Sequence, residues 1–387
     1  VCHGTARAAT VDHHGGNSRR CPGGLNMPES SIVVRPESPD SPAYTAASRL
    51  KAAGLHSAVT LFTAVAESVP IPKPPHPVVL ADYGAATGHN SLLPLGAAVG
   101  VLGARIRKDQ AVLVTHTDVP GNDFTTLFQT VTDDPDSYLH RHPATFCSAV
   151  GRSFYQQILP SDSVTLGWSS WAIQWLSRTP EPFGDHLVPA YSATASVRAA
   201  AERQAAQDWH EFIAFRGREL VPDGRLMVLT VGRDGSGEIG MRPLIDALHG
   251  ALQDLVGDGL IASGEVADMV IPIVGRNEKD FVSPFAPKGR FEGLSVESLA
   301  VHEAEDRFWH QFQADKDADG FGASWAAFLR ASVFGCLFNG LAGGAADPRV
   351  PEFADRLQRG TAARLAAAPA PVPITLASVV LVKNRPT

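Results

Sequence analysis

The sequence predicts an α/β fold, a largely parallel sheet with an α-helical cap beside the carboxyl ends of its strands, and three observations carry that expectation. The apolar side chains of "VVLA" (78–81) do not alternate with polar residues, as suits a strand buried on both faces, and further strand candidates are "AVLVTHTD" from Ala111, "SVTLGWSS" from Ser163 and "LMVLTVG" from Leu226. The stretches between them are long enough for crossover helices. The first run then passes through "DYGAATGHN", where two glycines let the backbone turn sharply, into an apolar helix-like segment.

Taken in order, residues 1–40 carry "CHGTARAATVDHHGGNSRRCPGG" and "PESPDSP", polar and without apolar periodicity, and are expected to be disordered. They lack the apolar stretch of a secretory signal, and Met27 opens a more ordinary start, so the first 26 residues are read as upstream sequence. The His13–His14 pair is not taken as a metal site. Residues 41–387 are expected to form one domain. Tyr44 to Ala66 has helical composition interrupted near Gly54, and "VPIPKPPHP" forms an extended linker because its prolines forbid helix. "ELVPDGRLMVLTV" reads as a helix end, a turn at Pro222-Asp223-Gly224 and a strand. "RFEGLSVESL" and "ITLASVVLVKN" complete a mixed sheet. Two aromatic, helical stretches, 178–218 and 272–345, are assigned to the cap, where open α/β sheets place their ligands.

Composition narrows the function. The chain has 387 residues, 44% hydrophobic and 19% charged, with a net charge of −7 and a pI near 6.1, enough apolar material for a large core and no basic footprint for nucleic acid. The longest weakly polar run, Ser91 to Ala104, is broken by Pro94 and three glycines, so no stable membrane insertion is expected. Cys2, Cys21, Cys147 and Cys336 lack metal-ligand spacing, and no disulfide framework is expected. "DKDADG" (315–320) resembles half of a calcium loop, but Ala326 stands where the bidentate glutamate belongs, and it is read as a turn between cap helices. These features suggest a cytoplasmic protein with a small-molecule partner and no metal.

The spacing Asp82-x-Gly84-x-x-x-Gly88 is not GxGxxG. An acid before the turn would repel a pyrophosphate and favour a cation, so a zwitterionic, sulfonium-bearing ligand fits better. Asp118, at the end of the second strand, can accept both hydroxyls of a ribose. The alternative for both features is a tight turn and a solvated helix cap.

At these residues the sequence resembles a known family. "ADYGAATGHNSL", "TDVPGNDFTTLF", "GRSFYQQILP", "SSWAIQWLSRTP" and "ELVPDGRLMVLT" look, in order and spacing, like blocks of the SABATH methyltransferases, and "FLRASVFG" is similar to a late helix of that family. The expected placement is a bacterial branch acting on fatty or other small acids. The resemblance implies a Rossmann-like class I methyltransferase sheet with a helical cap, often dimeric, that uses S-adenosylmethionine to methylate small carboxylic acids or, in some branches, ring nitrogens. Carried over by motif, Asp82, Gly84 and Asn90 would line the methionine part of the cofactor, Asp118 would hold the ribose, and Ser153 with Phe154 would hold the adenine, while Gly88 is expected to let the backbone approach the cofactor. Tyr44 matches a tyrosine near the cofactor carboxylate. Seven residues on, Lys51 replaces a substrate-binding glutamine, and is either a stronger anchor for a carboxylate or a misaligned surface lysine. Trp175 matches the tryptophan that orients the substrate carboxylate, with Gln174 beside it. Trp171 replaces a usual tyrosine. The alternative for the two tryptophans is that they share one helix face and pack inward.

A carboxylate is already nucleophilic at neutral pH and a sulfonium methyl is already activated, so in-line displacement needs no general base. Holding the atoms in line contributes on the order of 7–11 kcal/mol. His116 and His89, near the turn, are read as structural residues. The expected reaction is formation of methyl esters of small hydrophobic acids, and the rivals are N-methylation of a heterocycle and a catalytically inactive cofactor-binding protein.

Overall fold

The computed structural model describes residues 56–178 and 183–385. The expectations for residues 1–40, for Tyr44 and for Lys51 therefore lie outside the described residues. Seven strands, β1 (Val78–Tyr83), β2 (Val112–Asp118), β3 (Thr145–Gly151), β4 (Val164–Ser170), β5 (Leu220–Val231), β6 (Leu294–Glu303) and β7 (Thr375–Lys383), form one sheet in the order β3-β2-β1-β4-β5-β7-β6. All neighbours pair in parallel except at β7, which runs antiparallel to β5 and β6.

The apolar runs read from the sequence are these strands, and their side chains feed two cores. In β5, Met227, Leu229 and Val231 face one layer while Leu226 and Val228 face the other. All seven residues of β4 are buried. The first layer contains α1 (His56–Ser68) and α2 (His89–Arg105), with Phe62 against Trp168 at 4.7 Å between ring centroids. α3 (Phe124–Asp133) follows β2 and is capped by Asp123, which accepts from the Thr126 amide.

Several expectations are corrected. The aromatic stretch 178–218 is not a cap: it contains α4 (Ala195–Glu219), which links β4 to β5 and packs Trp209, Phe212 and Ile213 against Tyr83, Val228 and Val379 on the second face of the sheet. Trp209 and Phe212 are therefore sheet core, and a 25-residue crossover helix needs them there. Pro222-Asp223-Gly224 is not a chain reversal but an irregularity inside β5, with Asp223 at φ +63° and a register shift opposite Val164 and Leu166. A left-handed residue followed by glycine serves a bulge as well as a turn. β3 is absent from the strands read in the sequence; its run "TFCSAVG" is half-exposed at the sheet edge and carries few strong strand formers.

The cap consists of α5 (Arg242–Gly257), α6 (Arg307–Asp315), α7 (Ala318–Leu337) and α8 (Val350–Ala367), so it begins earlier and ends later than 272–345, and β6 within that range belongs to the sheet. α7 and its last turn, Ala318–Gly340, form the one helix among the described residues that is apolar and long enough to cross a bilayer, with mean hydropathy 1.4 and 61% of its most apolar window buried inside the fold. Gly322 lets it approach α8 closely, since a Cβ there would lie 2.3 Å from the Ala362 carbonyl oxygen. "DKDADG" spans the last residue of α6, the turn at Lys316 and Asp317 and the first residues of α7, which Asp317 caps by accepting from the Gly320 amide.

Candidate active site

The carboxyl ends of β1, β2, β4 and β5 open into a cavity under the cap with about 1260 Å³ of open space, its mouth included. Gly84 stands at the floor with φ +88°, and a Cβ there would lie 2.4 Å from that of Ala172, so the β1 turn and the loop after β4 meet only because this residue has no side chain. The turn is braced from β2. Asp118 accepts from the Ala86 amide at 2.7 Å and the Val119 amide at 2.8 Å, and Asn122 donates to the Ala86 carbonyl at 2.8 Å. Burial pushes the Asp118 pKa up to about 6 against the lowering pull of those two amides, with the Asp82 charge adding to the rise.

Asp118, Gly84, Asn90 and Phe154 line this cavity, as the sequence leads one to expect. Asp82, Gly88 and Ser153 do not. Asp82 is 1% exposed and accepts from His116 Nδ1 at 2.8 Å, while His116 Nε2 meets the Tyr138 hydroxyl at 2.7 Å. Burial would lower the His116 pKa, but Asp82 and Cys147 outweigh it and hold it at about 9. His116 is thus a buried partner of Asp82, in accord with a structural role. Gly88 begins α2 at φ +86° and faces Leu127 and Thr130. Ser153 is buried and its hydroxyl accepts from the Tyr155 amide at 3.3 Å.

After β4, residues 171–178 form turns rather than a helix, which removes the shared-helix-face reading of the two tryptophans. Both line the cavity. Trp171 sits at φ +55°, a conformation a bulky residue adopts only under constraint, and its backbone N–H donates to the Leu229 carbonyl at 2.9 Å. The Trp175 backbone is pinned by a bridge to Ile273, and its carbonyl accepts from the Tyr155 hydroxyl at 3.0 Å. Its indole N–H has no hydrogen-bond partner among the described residues, whereas that of Trp209 donates to the Phe281 carbonyl.

Gln174 also lines the cavity, but its amide is largely committed: its nitrogen donates to the Trp171 carbonyl at 2.6 Å and its oxygen accepts from Thr230 at 3.1 Å. It braces the tryptophan turn and keeps one N–H free.

The rest of the wall escaped sequence reading. Met241, Leu244 and Ile245 at the start of α5 and Phe328, Leu329 and Val333 on α7 close an apolar chamber. The aromatic composition near Phe328 pointed to a cap, but nothing local marks the α5 residues. Among the described lining residues Asp118 is the one carboxylate, and there is no histidine, lysine, arginine or cysteine.

A profile of the family described as SAM-dependent carboxyl methyltransferases matches residues 36–378. The chain belongs to this family. S-adenosylmethionine is the cofactor the description names, and the floor fits it: an acid at the end of β2, a turn that tolerates no side chain, and an aromatic face beside both. Among family relatives, the chain is 32% identical over 209 residues to the methyltransferase LUC1 of Fusarium, a match covering 53% of each. It is 26% identical over 278 residues to gibberellic acid methyltransferase 1 of Arabidopsis thaliana, covering 66% of this chain and 72% of the relative. The match thus spans about half the length of the Fusarium relative. A solved loganic acid methyltransferase with S-adenosylhomocysteine shares the fold at a TM-score of 0.71 and 20% identity, over 90% of this chain and 99% of the other. The expected class I sheet with a cap is therefore the architecture of the molecule.

Proposed function

We propose that this family member transfers a methyl group from S-adenosylmethionine to the carboxylate of a small hydrophobic acid. One observation carries the reading: a single cavity runs from Asp118, Gly84 and Phe154 to an unpartnered indole N–H on Trp175 and on into an apolar chamber. When bound, the cofactor supplies an activated methyl group. The residues of the chain do the rest. Asp118 presents two oxygens that are each already held by one amide, leaving lone pairs for a ribose diol. Phe154 offers a ring face for the purine. Trp175 donates to one carboxylate oxygen, Gln174 keeps Trp171 in place, and the α5 and α7 side chains exclude water from the acceptor oxygen. The described wall holds no histidine or lysine to move a proton, as suits a nucleophile that arrives ionised.

The roles read for Tyr44 and Lys51 belong to the same proposal, as do the bacterial small-acid branch, the cytoplasmic location and the homodimer. The relatives above are fungal and plant proteins. Fatty, isoprenoid and aromatic acids are the substrates the chamber suits. The test is incubation of the purified protein with methyl-labelled cofactor and a panel of acids, followed by extraction of esters. Labelled esters of apolar acids support the reading. Transfer only to purine-like nitrogens, or cofactor binding with no transfer across the panel, refutes it.

A further inference from the structure

The segment 153–159 supplies Phe154 to the cofactor side of the cavity and Tyr155, whose hydroxyl holds the Trp175 carbonyl, to the acceptor side. It lies in no helix or strand and so has no ladder of its own. Beside local bonds within the segment, such as those the Tyr155 and Gln156 amides donate to Ser153, its backbone is held by two buried charges on α4. Arg216 donates from Nη1 to the Phe154 carbonyl at 2.7 Å and from Nη2 to the Gln156 carbonyl at 2.8 Å. Glu219 Oε1 accepts from the Ile158 amide at 2.7 Å and the Leu159 amide at 3.0 Å. The two side chains pair at 2.9 Å with 0% exposure each. Glu219 Oε2 also accepts from the Tyr83 hydroxyl at 2.8 Å, and the guanidinium lies 4.4 Å above the Tyr83 ring, which tethers the pair to the residue before Gly84.

An ion pair taken wholly out of water costs several kcal/mol unless further hydrogen bonds compensate. Here the compensating bonds converge on one loop. We propose that Arg216 and Glu219, neither of which lines the cavity, are positioning residues for both halves of the site. They fix the loop so that the Phe154 ring meets the cofactor and the Tyr155 hydroxyl meets Trp175. The inference rests on the methyltransferase reading above.

Double-mutant cycles test it. Calorimetry with S-adenosylhomocysteine compares wild type, Glu219→Gln, Phe154→Ala and the double variant. Glu219→Gln removes a charge-assisted acceptor and is expected to weaken binding about tenfold. In the Phe154→Ala background the same change should have little further effect, because residues acting through one group are not additive. A parallel cycle reads the KM of a methylated acid, where the effect of Glu219→Gln should shrink in a Tyr155→Phe background. Tyr83→Phe, which deletes one outer bond of the clamp, should show the same pattern with a smaller loss, about twofold to fivefold, and serves if Glu219→Gln does not fold. Fully additive losses, or unchanged affinity in both Glu219→Gln and Tyr83→Phe, would overturn the proposal. Failure of the wild type to bind S-adenosylhomocysteine would sink the functional reading and this inference with it, whereas a wild type that binds and methylates but gives additive cycles sinks the inference alone.

Discussion

Replacing Asp118 by asparagine separates what the site needs from what the fold tolerates. The carboxylate accepts one backbone amide on each oxygen, yet burial still pushes its pKa from 3.8 to about 6. Between those values the native protein holds a proton that the unfolded chain has lost, so this group's contribution to stability falls as pH rises through the window. The shift corresponds to at most about 3 kcal/mol, since a partly exposed carboxylate is also screened by water. The substitution would remove that penalty but turn an amide NH₂ toward a backbone N–H, at a cost of about 1–3 kcal/mol that does not vary with pH. Relative to wild type, then, Asp118→Asn should gain up to about 3 kcal/mol of stability between about pH 4 and pH 7.5, measured by urea denaturation of the apo protein. Cofactor affinity should move the other way. Loss of the charge-assisted bonds to a ribose diol, together about 3 kcal/mol, predicts at least a roughly hundredfold weaker dissociation constant for S-adenosylhomocysteine. Wild-type affinity should also weaken as pH drops through about 6, a dependence the variant lacks. A variant that binds as tightly as wild type, or whose stability difference does not change with pH, would refute the ribose assignment or the buried charge behind it.

Three further outcomes follow, two from the geometry and one from the sequence. Trp175→Phe keeps an aromatic ring and deletes that residue's indole donor, so kcat/KM for the acid should fall about 10- to 100-fold with cofactor affinity unchanged in calorimetry, and an unaltered rate would remove the indole from the acceptor site. Gly84→Ala combines a left-handed φ of +88° with a 2.4 Å approach to Ala172 Cβ, so thermal denaturation should show a loss of more than about 2 kcal/mol and calorimetry should show weaker cofactor binding. A wild-type melting temperature would mean that the β1 turn can relax. Lys51→Gln should keep activity with a raised KM for the acid if Lys51 anchors the carboxylate, and steady-state kinetics identical to wild type would mark it as a surface lysine.

The central strands were legible as short runs rich in apolar and β-branched residues: β1 opens on a continuous apolar run and β5 contains one, while β2 and β4 carry Val112, Val114, Val164, Leu166 and Trp168 among polar residues that the sheet also buries. That Asp118, Gly84, Asn90, Phe154 and Trp175 line one cavity was legible from the glycine turn, the acid that ends the second strand and the ordered blocks of the family resemblance. Local composition could not say which side of the sheet a helix covers: α4 looks as aromatic as a cap helix and is core because the β4–β5 crossover lays it on the sheet. Nor could it say that the neighbouring strand offers Asp82 a histidine at the paired position, which takes that carboxylate out of the cavity wall. The sequence by itself therefore determined the alternation of strands and helices, the turn and the chemical types gathered at its mouth, because these rest on periodicity and backbone freedom within short windows. Tertiary structure alone decided the cap's extent, the commitment of Gln174, and the clamp from Arg216 and Glu219 onto a loop about 60 residues earlier in the chain, because the partners of a buried polar group are chosen by packing across the fold.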